Sequence, residues 1–166
     1  NGEARLHMAT AAGLLDCGLA FGIVDYVDLV KLARLVCGGA DAAEEVFRRM
    51  VFNARALNRD DHVRNHAFLM DATGAWRLAP AYDVSFSTGP GGEHAMAVAG
   101  EGRRPGRQAF ARVAQVAGLQ PRRRDAIIDE VDAALDRWPR LAAEHEVPRS
   151  LAQRIEREIA AARRWA

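Results

Sequence analysis

NRDDHVRNHAFLMDATGAWRLAPAYD, residues 58–83, decides the fold. It opens on a dense polar cluster, Asn58 to His66, and turns abruptly apolar at HAFLM. A second short apolar segment, WRLAP, follows after DATGA, whose Asp, Thr and Gly are turn formers. Two apolar runs of strand length around such a turn predict a short β-hairpin. The hairpin carries the chain out from Asn65 and back to Pro80, so Asn65 and Asp83 return to the same end.

Upstream, the spacing predicts a helix from Asp41 towards Leu57. Val46, Phe47, Met50, Val51, Ala54 and Leu57 form one apolar face, and Asp41 with Glu44 has capping-box spacing. A preceding helix, YVDLVKLARLVC, is bounded by Asp25 as N-cap and by Gly38 and Gly39. The apolar residues Leu6, Met8, Leu14 and Leu15 suggest a first helix ending near Gly18.

Downstream, AYDVSFSTGPGGEH reads as loop, with a short strand at His94 to Val98 and a basic connection at GEGRRPGR. Three helices are expected to finish the chain. One spans 107–117, a second starts at Pro121 and runs to Trp138 before Pro139, and a third starts at Ser150. Phe110, Trp138 and Trp165 sit at helical spacing as packing residues.

The chain has 166 residues, 49% of them apolar and 27% charged, which fits one globular domain over residues 1–166. Its 23 basic and 22 acidic residues leave a formal charge of +1, so a global nucleic-acid-like charge is absent. Cys17 and Cys37 match neither CxxC spacing nor a disulfide framework and read as buried free thiols. No apolar run reaches the ~18 residues of a membrane span, and no leader opens the chain, so a cytoplasmic protein is expected. The start, on Asn1 and a segment entering a helix, suggests a fragment.

The chemistry lies in the cluster and in Asp83. An Asn carbonyl and an Asp carboxylate are hard oxygen donors, suited to a Mg²⁺ ion that also takes phosphate oxygens. Asp60 precedes Asn65 by five positions, the interval of the protein-kinase catalytic loop H-R-D-x-x-x-x-N. Strand, turn, strand and then a metal-binding Asp is also the order in which kinases reach the Asp of D-F-G, and A-Y-D supplies it here.

The longer string FNARALNRDDHVRNHAFLMDATGAWRLAPAYDV resembles the C-terminal lobe of the HipA family, serine/threonine kinases of bacterial toxin-antitoxin modules. That family's signature runs F-N-x-x-x-x-N-x-D-D-H-x-[KR]-N-x-x-F-L, then W-x-L-[AT]-P-x-Y-D. The flanks RLHMATAAGLL and PRRRDAIIDEVDAALDRWPRLA are similar to its helices. The resemblance implies a mainly α, α+β kinase-like lobe, a helical bundle with the hairpin carrying its catalytic edge.

By the same resemblance Asp60 is the catalytic base and Asn65 and Asp83 are the Mg²⁺ ligands. His62, Val63, Arg64, Asn65, Tyr82 and Asp83 line the phosphates of ATP. Arg64 stands where relatives often carry Lys. The implied partners are a protein substrate such as an aminoacyl-tRNA synthetase and a helix-turn-helix antitoxin, with DNA reached through the antitoxin. Lys31, the only lysine, lies in a helix and cannot serve as the phosphate-binding strand lysine of the small lobe. This segment therefore looks like the large lobe alone, with little transfer activity expected of it in isolation.

Other readings stay open at this stage. Asp60, Asp61 and His62 also suit a solvated turn, and Asp61 suits a hydrogen bond to loop backbone. His62 and His66 would ligate Zn²⁺ together if helical, but the β-like residues after Asn65 argue against that. A metal-dependent phosphodiester hydrolase or nuclease using Asp60, His62, His66 and Asp83 is the rival enzyme. Arg103, Arg104, Arg107 and Arg122 to Arg124 admit a non-enzymatic nucleic-acid-binding or protein-binding module.

Overall fold

A computed structural model describes residues 5–17 and 24–164. Its elements run β1 (His7–Thr10), α1 (Ala11–Leu14), α2 (Tyr26–Cys37), α3 (Ala40–Ala56), β2 (Ala67–Met70), β3 (Trp76–Leu78), α4 (Arg107–Val116), α5 (Pro121–Leu135), α6 (Trp138–Glu144) and α7 (Arg149–Ala162). Short 3-10 turns lie at Val63–Asn65 and Pro90–Gly92. The described residues are mainly helical, with one small antiparallel sheet among them in the order β1-β2-β3.

α3 organises the bundle. Its apolar positions recur at helical spacing, and Ala43, Val46, Phe47, Met50 and Val51 are all fully buried. That stripe meets α2, α5, α7 and α4, and each large side chain so buried contributes roughly 1.5–3 kcal/mol. The helix starts on Gly39 without a side-chain cap. The expected capping box at Asp41 and Glu44 does not form; Glu44 instead pairs with Arg123 and Arg48. α3 ends on Leu57, whose backbone is left-handed (φ 56°) and whose N–H bonds to the Asn53 carbonyl. A left-handed leucine costs roughly 1–2 kcal/mol, and here it turns the chain sharply into Asn58.

The hairpin forms as expected, with Phe68 opposite Leu78 and Met70 opposite Trp76. Asp71 closes its turn by accepting from the N–H groups of Thr73 and Ala75. The first helix does not form as expected. His7–Thr10 is a strand paired with β2, Thr10 facing Ala67 and His7 facing Met70, and only four helical residues follow. Without β1 the β2 edge would leave backbone groups unpaired, and that tertiary demand outweighs the helix propensity of an alanine-rich segment. Thr10 then caps α1 through Gly13 N–H. Gly18 lies outside the described residues.

α2 matches its expected span, with Asp25 accepting from Val27 N–H and left-handed Gly38 ending it. His94 to Val98 is not a strand; Ala97 and Val98 make only isolated bridges, to Asp25 and Glu101. Four helices rather than three finish the described chain, because Pro139 takes a first-turn position and starts α6 instead of only ending α5. Trp138 packs there, its indole N–H donating to the Ala152 carbonyl at 3.0 Å. Phe110 is buried beneath the Arg55 guanidinium, 5.6 Å from its ring centroid. Trp165 lies outside the described residues. Cys17 and Cys37 are free and half-buried. No helix among the described residues is long and apolar enough to cross a membrane.

Candidate active site

The segment from Leu57 to His66 is held by backbone contacts on one side and packing on the other. Ser87 N–H donates to the Leu57 carbonyl at 2.8 Å, Arg59 N–H to the Ser87 carbonyl, and Ala95 N–H to the Arg59 carbonyl. The Arg59 guanidinium adds bonds to the carbonyls of Thr88 and Arg103. Gly89 makes this approach possible. Its φ is +68°, and a Cβ there would stand 2.9 Å from the Arg59 Cβ and 2.1 Å from the Glu93 carbonyl oxygen.

Residues 60–66 then separate into two faces. Asp61, Val63 and His66 are buried, whereas Arg64 is exposed and the Asp60 side chain is 52% exposed. Asp61 accepts from the Tyr26 hydroxyl at 2.8 Å, from Ala95 N–H at 3.0 Å and from Met96 N–H at 3.5 Å, and it meets His94 Nδ1 at 3.1 Å. Tyr26 in turn accepts from the Asn53 amide, and Asn53 accepts from the Asn58 amide at 3.0 Å. This donor chain ends on a carboxylate, and its direction fixes which way each amide points. Burial, and then the charge of Asp61, push the Tyr26 hydroxyl well above its ordinary pKa, so it stays a proton donor.

The other face gathers the expected site residues. One ligand atom each from Asp60, His62 and Asp83 lies within 4.8 Å of the others. The hairpin returns Asp83 to this edge, and the Tyr82 hydroxyl donates to the Arg64 carbonyl, anchoring the segment after β3 to the loop. Asp83 is left-handed (φ 53°), a costly backbone state for a non-glycine residue of the kind found at functional sites. Asn65 donates its amide to the Asp60 carbonyl at 2.9 Å, which leaves its carbonyl oxygen for another partner. Burial and the neighbouring Asp83 charge raise the Tyr82 hydroxyl pKa.

Val63 is buried in the core. His66 is not at the edge: its ring packs edge-on to Tyr26 at 5.8 Å. Lys31 is exposed on α2 beside Asp28. Sequence reasoning missed Tyr26, Asn53, Asn58 and His94. The two asparagines stand in the F-N-x-x-x-x-N string, where a pair of amides one helical turn and a step apart was the available signal; Tyr26 and His94 carried none. Of the basic groups, Arg103 pairs with Glu93, Arg123 with Glu44 and Glu130, and Arg124 with Asp125.

The family model of the HipA-like C-terminal domain matches residues 1–138. This chain belongs to the HipA family. Among solved structures, it is similar to one described as the Shewanella oneidensis MR-1 toxin-antitoxin system HipA, HipB and its operator DNA complex, with a TM-score of 0.75 and 19% identity. The alignment covers 95% of this chain and 43% of that one, so the chain spans less than half the length of this HipA-family relative. No curated protein matches the chain.

Proposed function

We propose that this HipA-family domain is the large catalytic lobe of a Mg²⁺-dependent serine/threonine kinase that acts as the toxin of a toxin-antitoxin module. The observation that carries the reading is the meeting of Asp60, His62 and Asp83 at one exposed edge beside the anchored Asn65. Asp60 accepts the proton of a substrate serine hydroxyl, in a solvent-facing position where a protein segment reaches it. Asn65 and Asp83 would hold Mg²⁺, and the hard oxygen donors present fit that ion. When bound, the ion neutralises charge on the β and γ phosphates of ATP. Arg64, exposed beside them, offsets further phosphate charge, and the backbone of residues 62–65 with Tyr82 borders the nucleotide.

A helix-turn-helix antitoxin, DNA reached through it, and a substrate such as an aminoacyl-tRNA synthetase are the partners this reading takes from the family. A cytoplasmic setting goes with it. Lys31 is in no position to meet phosphate, so the 166 residues on their own are expected to transfer little or no phosphoryl group. The test is transfer of the γ-phosphate from ATP to protein serine by the complete protein. Asp83→Asn should remove the Mg²⁺ dependence together with the activity; undiminished transfer by that variant, or robust transfer by the 166-residue chain alone, would overturn the proposal.

One observation favours a second reading. His62 contributes a nitrogen to the cluster, a ligand better suited to Zn²⁺ or Mn²⁺ than to Mg²⁺. A metal-dependent phosphodiesterase would then retain Zn²⁺ through dialysis and hydrolyse bis-p-nitrophenyl phosphate. Its ligands would be Asp60, His62 and Asp83 without His66.

A further inference from the structure

A cavity of about 390 Å³ lies between the end of α3, the end of α7 and the segment 103–105. None of the residues lining it belongs to the Asp60–Asp83 edge. Ala54, Leu57, Pro105 and Ala161 give it apolar walls, and five arginines stand among them: Arg55, Arg59, Arg103, Arg104 and Arg164. Glu158 is the one carboxylate among the described residues of the wall. Two of the five arginines are balanced. Arg103 pairs with Glu93, and buried Arg55 faces Asp132, whose other partner, Arg163, also has Asp136. Arg59, Arg104 and Arg164 are left against Glu158, a surplus of two positive charges in a chain whose total is only +1.

Elsewhere surface arginines such as Arg123 and Arg140 find carboxylates. The guanidiniums of Arg104 and Arg164 make no hydrogen bond or ion pair among the described residues. Helix C-termini attract cations through their terminal carbonyls, which accounts for Arg55, a donor to the Ala162 carbonyl. It does not account for Arg59, which donates to the carbonyls of Thr88 and Arg103 outside any helix, and whose buried Nε has no partner. Burial holds the Arg59 pKa below its ordinary value, and the charges of Arg104 and Arg103 lower it further against the opposing charge of Glu158. An anion here therefore relieves repulsion between like charges as well as making bonds.

We propose that this cavity binds a small organic phosphate monoester, with its phosphate held by Arg59, Arg104 and Arg164 and its apolar body against Leu57, Pro105 and Ala161. The surplus charge decides the class. A phosphate monoester carries about −1.5 to −2 at neutral pH, which matches it, whereas a carboxylate or sulfate ester brings a single charge. Guanidinium forks also pair with phosphate oxygens two bonds at a time. The volume falls in the range of small-ligand cavities, which combine apolar walls with a few polar groups. A nucleic-acid backbone lies along a surface and would leave those walls unfilled. The site stands apart from the proposed phosphoryl transfer, and neither reading depends on the other.

The chain, without Mg²⁺ or nucleotide, is titrated by NMR with phenyl phosphate, phenyl sulfate, inorganic phosphate and a short DNA duplex while the Arg59 Nε–H and Arg104 backbone amide signals are followed. Phenyl phosphate should saturate both signals with a Kd on the order of 1 mM or below, as expected for a ligand this small. Phenyl sulfate, with the same body and one charge, should bind at least about tenfold more weakly. Inorganic phosphate, which lacks the body, should bind at least about threefold more weakly. Arg104→Ala should weaken phenyl phosphate about tenfold, read on Arg59, without lowering the melting temperature, since Arg104 is exposed. Glu158→Gln, also at an exposed position, should tighten it about threefold. The proposal is overturned if phenyl phosphate fails to saturate those signals, or if phenyl sulfate or inorganic phosphate binds as tightly. It is equally overturned if the duplex displaces phenyl phosphate at lower concentration, or if Arg64→Ala rather than Arg104→Ala lowers the affinity.

Discussion

Asp60 and Asp61 are neighbours with opposite circumstances. Asp61 is 1% exposed and meets a hydroxyl, an imidazole nitrogen and a backbone N–H. The Asp60 side chain is 52% exposed, and the imidazole Nε2 of His62 stands 3.9 Å from it. The same carboxylate is thus a keystone at one position and, on the proposed function, a reagent at the next. One carboxylate is left facing solvent while the adjacent one is spent on holding the loop. The difference extends through the segment, with Val63 and His66 inward and Arg64 outward.

The largest expected effect breaks the comparison on the outward side. In the complete protein, Asp60→Asn should lower phosphoryl transfer about 10²–10⁴-fold while leaving the melting temperature unchanged, because no packed group depends on it. A matching loss of stability in a urea titration would show that Asp60 is structural after all. Asp61→Ala should do the opposite. It strands the Tyr26 hydroxyl, His94 and the Ala95 N–H in the interior, and a loss on the order of 3 kcal/mol in urea unfolding is expected.

His66 sharpens the inward side through pH. Burial depresses its folded-state pKa from 6.5 to about 4, with the Asp61 charge partly opposing. A histidine held neutral in this way contributes stability that is fully present above pH 6.5 and is lost as pH falls towards about 4. The loss amounts to something on the order of 3 kcal/mol. His66→Phe should flatten the stability profile across that window, and an unchanged acid slope would count against this account. Tyr26→Phe is the smallest change. Removing one hydroxyl that donates to Asp61 and accepts from Asn53 should cost about 1–2 kcal/mol with little effect on transfer, read from denaturation midpoints and initial rates.

The hairpin was legible because Phe68, Leu69, Trp76 and Leu78 flank a turn whose chemistry is local, Asp71 closing it on Thr73 and Ala75. The helices α2 and α3 were legible because their apolar positions repeat at the helical period. β1 was not. Its residues read as helix, and a strand forms only because β2, distant in sequence, presents an unpaired edge to it. Asp41 and Glu44 illustrate the same limit, since the cap they suggested gave way to an ion pair of Glu44 with Arg123 of α5 that sequence spacing does not reveal.

For the candidate site, intervals along the chain pointed to Asp60, Asn65 and Asp83, and the resemblance to the HipA family assigned their roles and added His62; short-range spacing and one turn bring Asp60, His62 and Asp83 to the same edge. Which of two adjacent aspartates faces solvent, and that Tyr26 and His94 support the buried one, depended on contacts between segments more than thirty residues apart. Periodicity along the chain encodes local structure and the faces of its elements. The meeting of distant polar groups is decided only when those faces pack and each buried donor must find its acceptor.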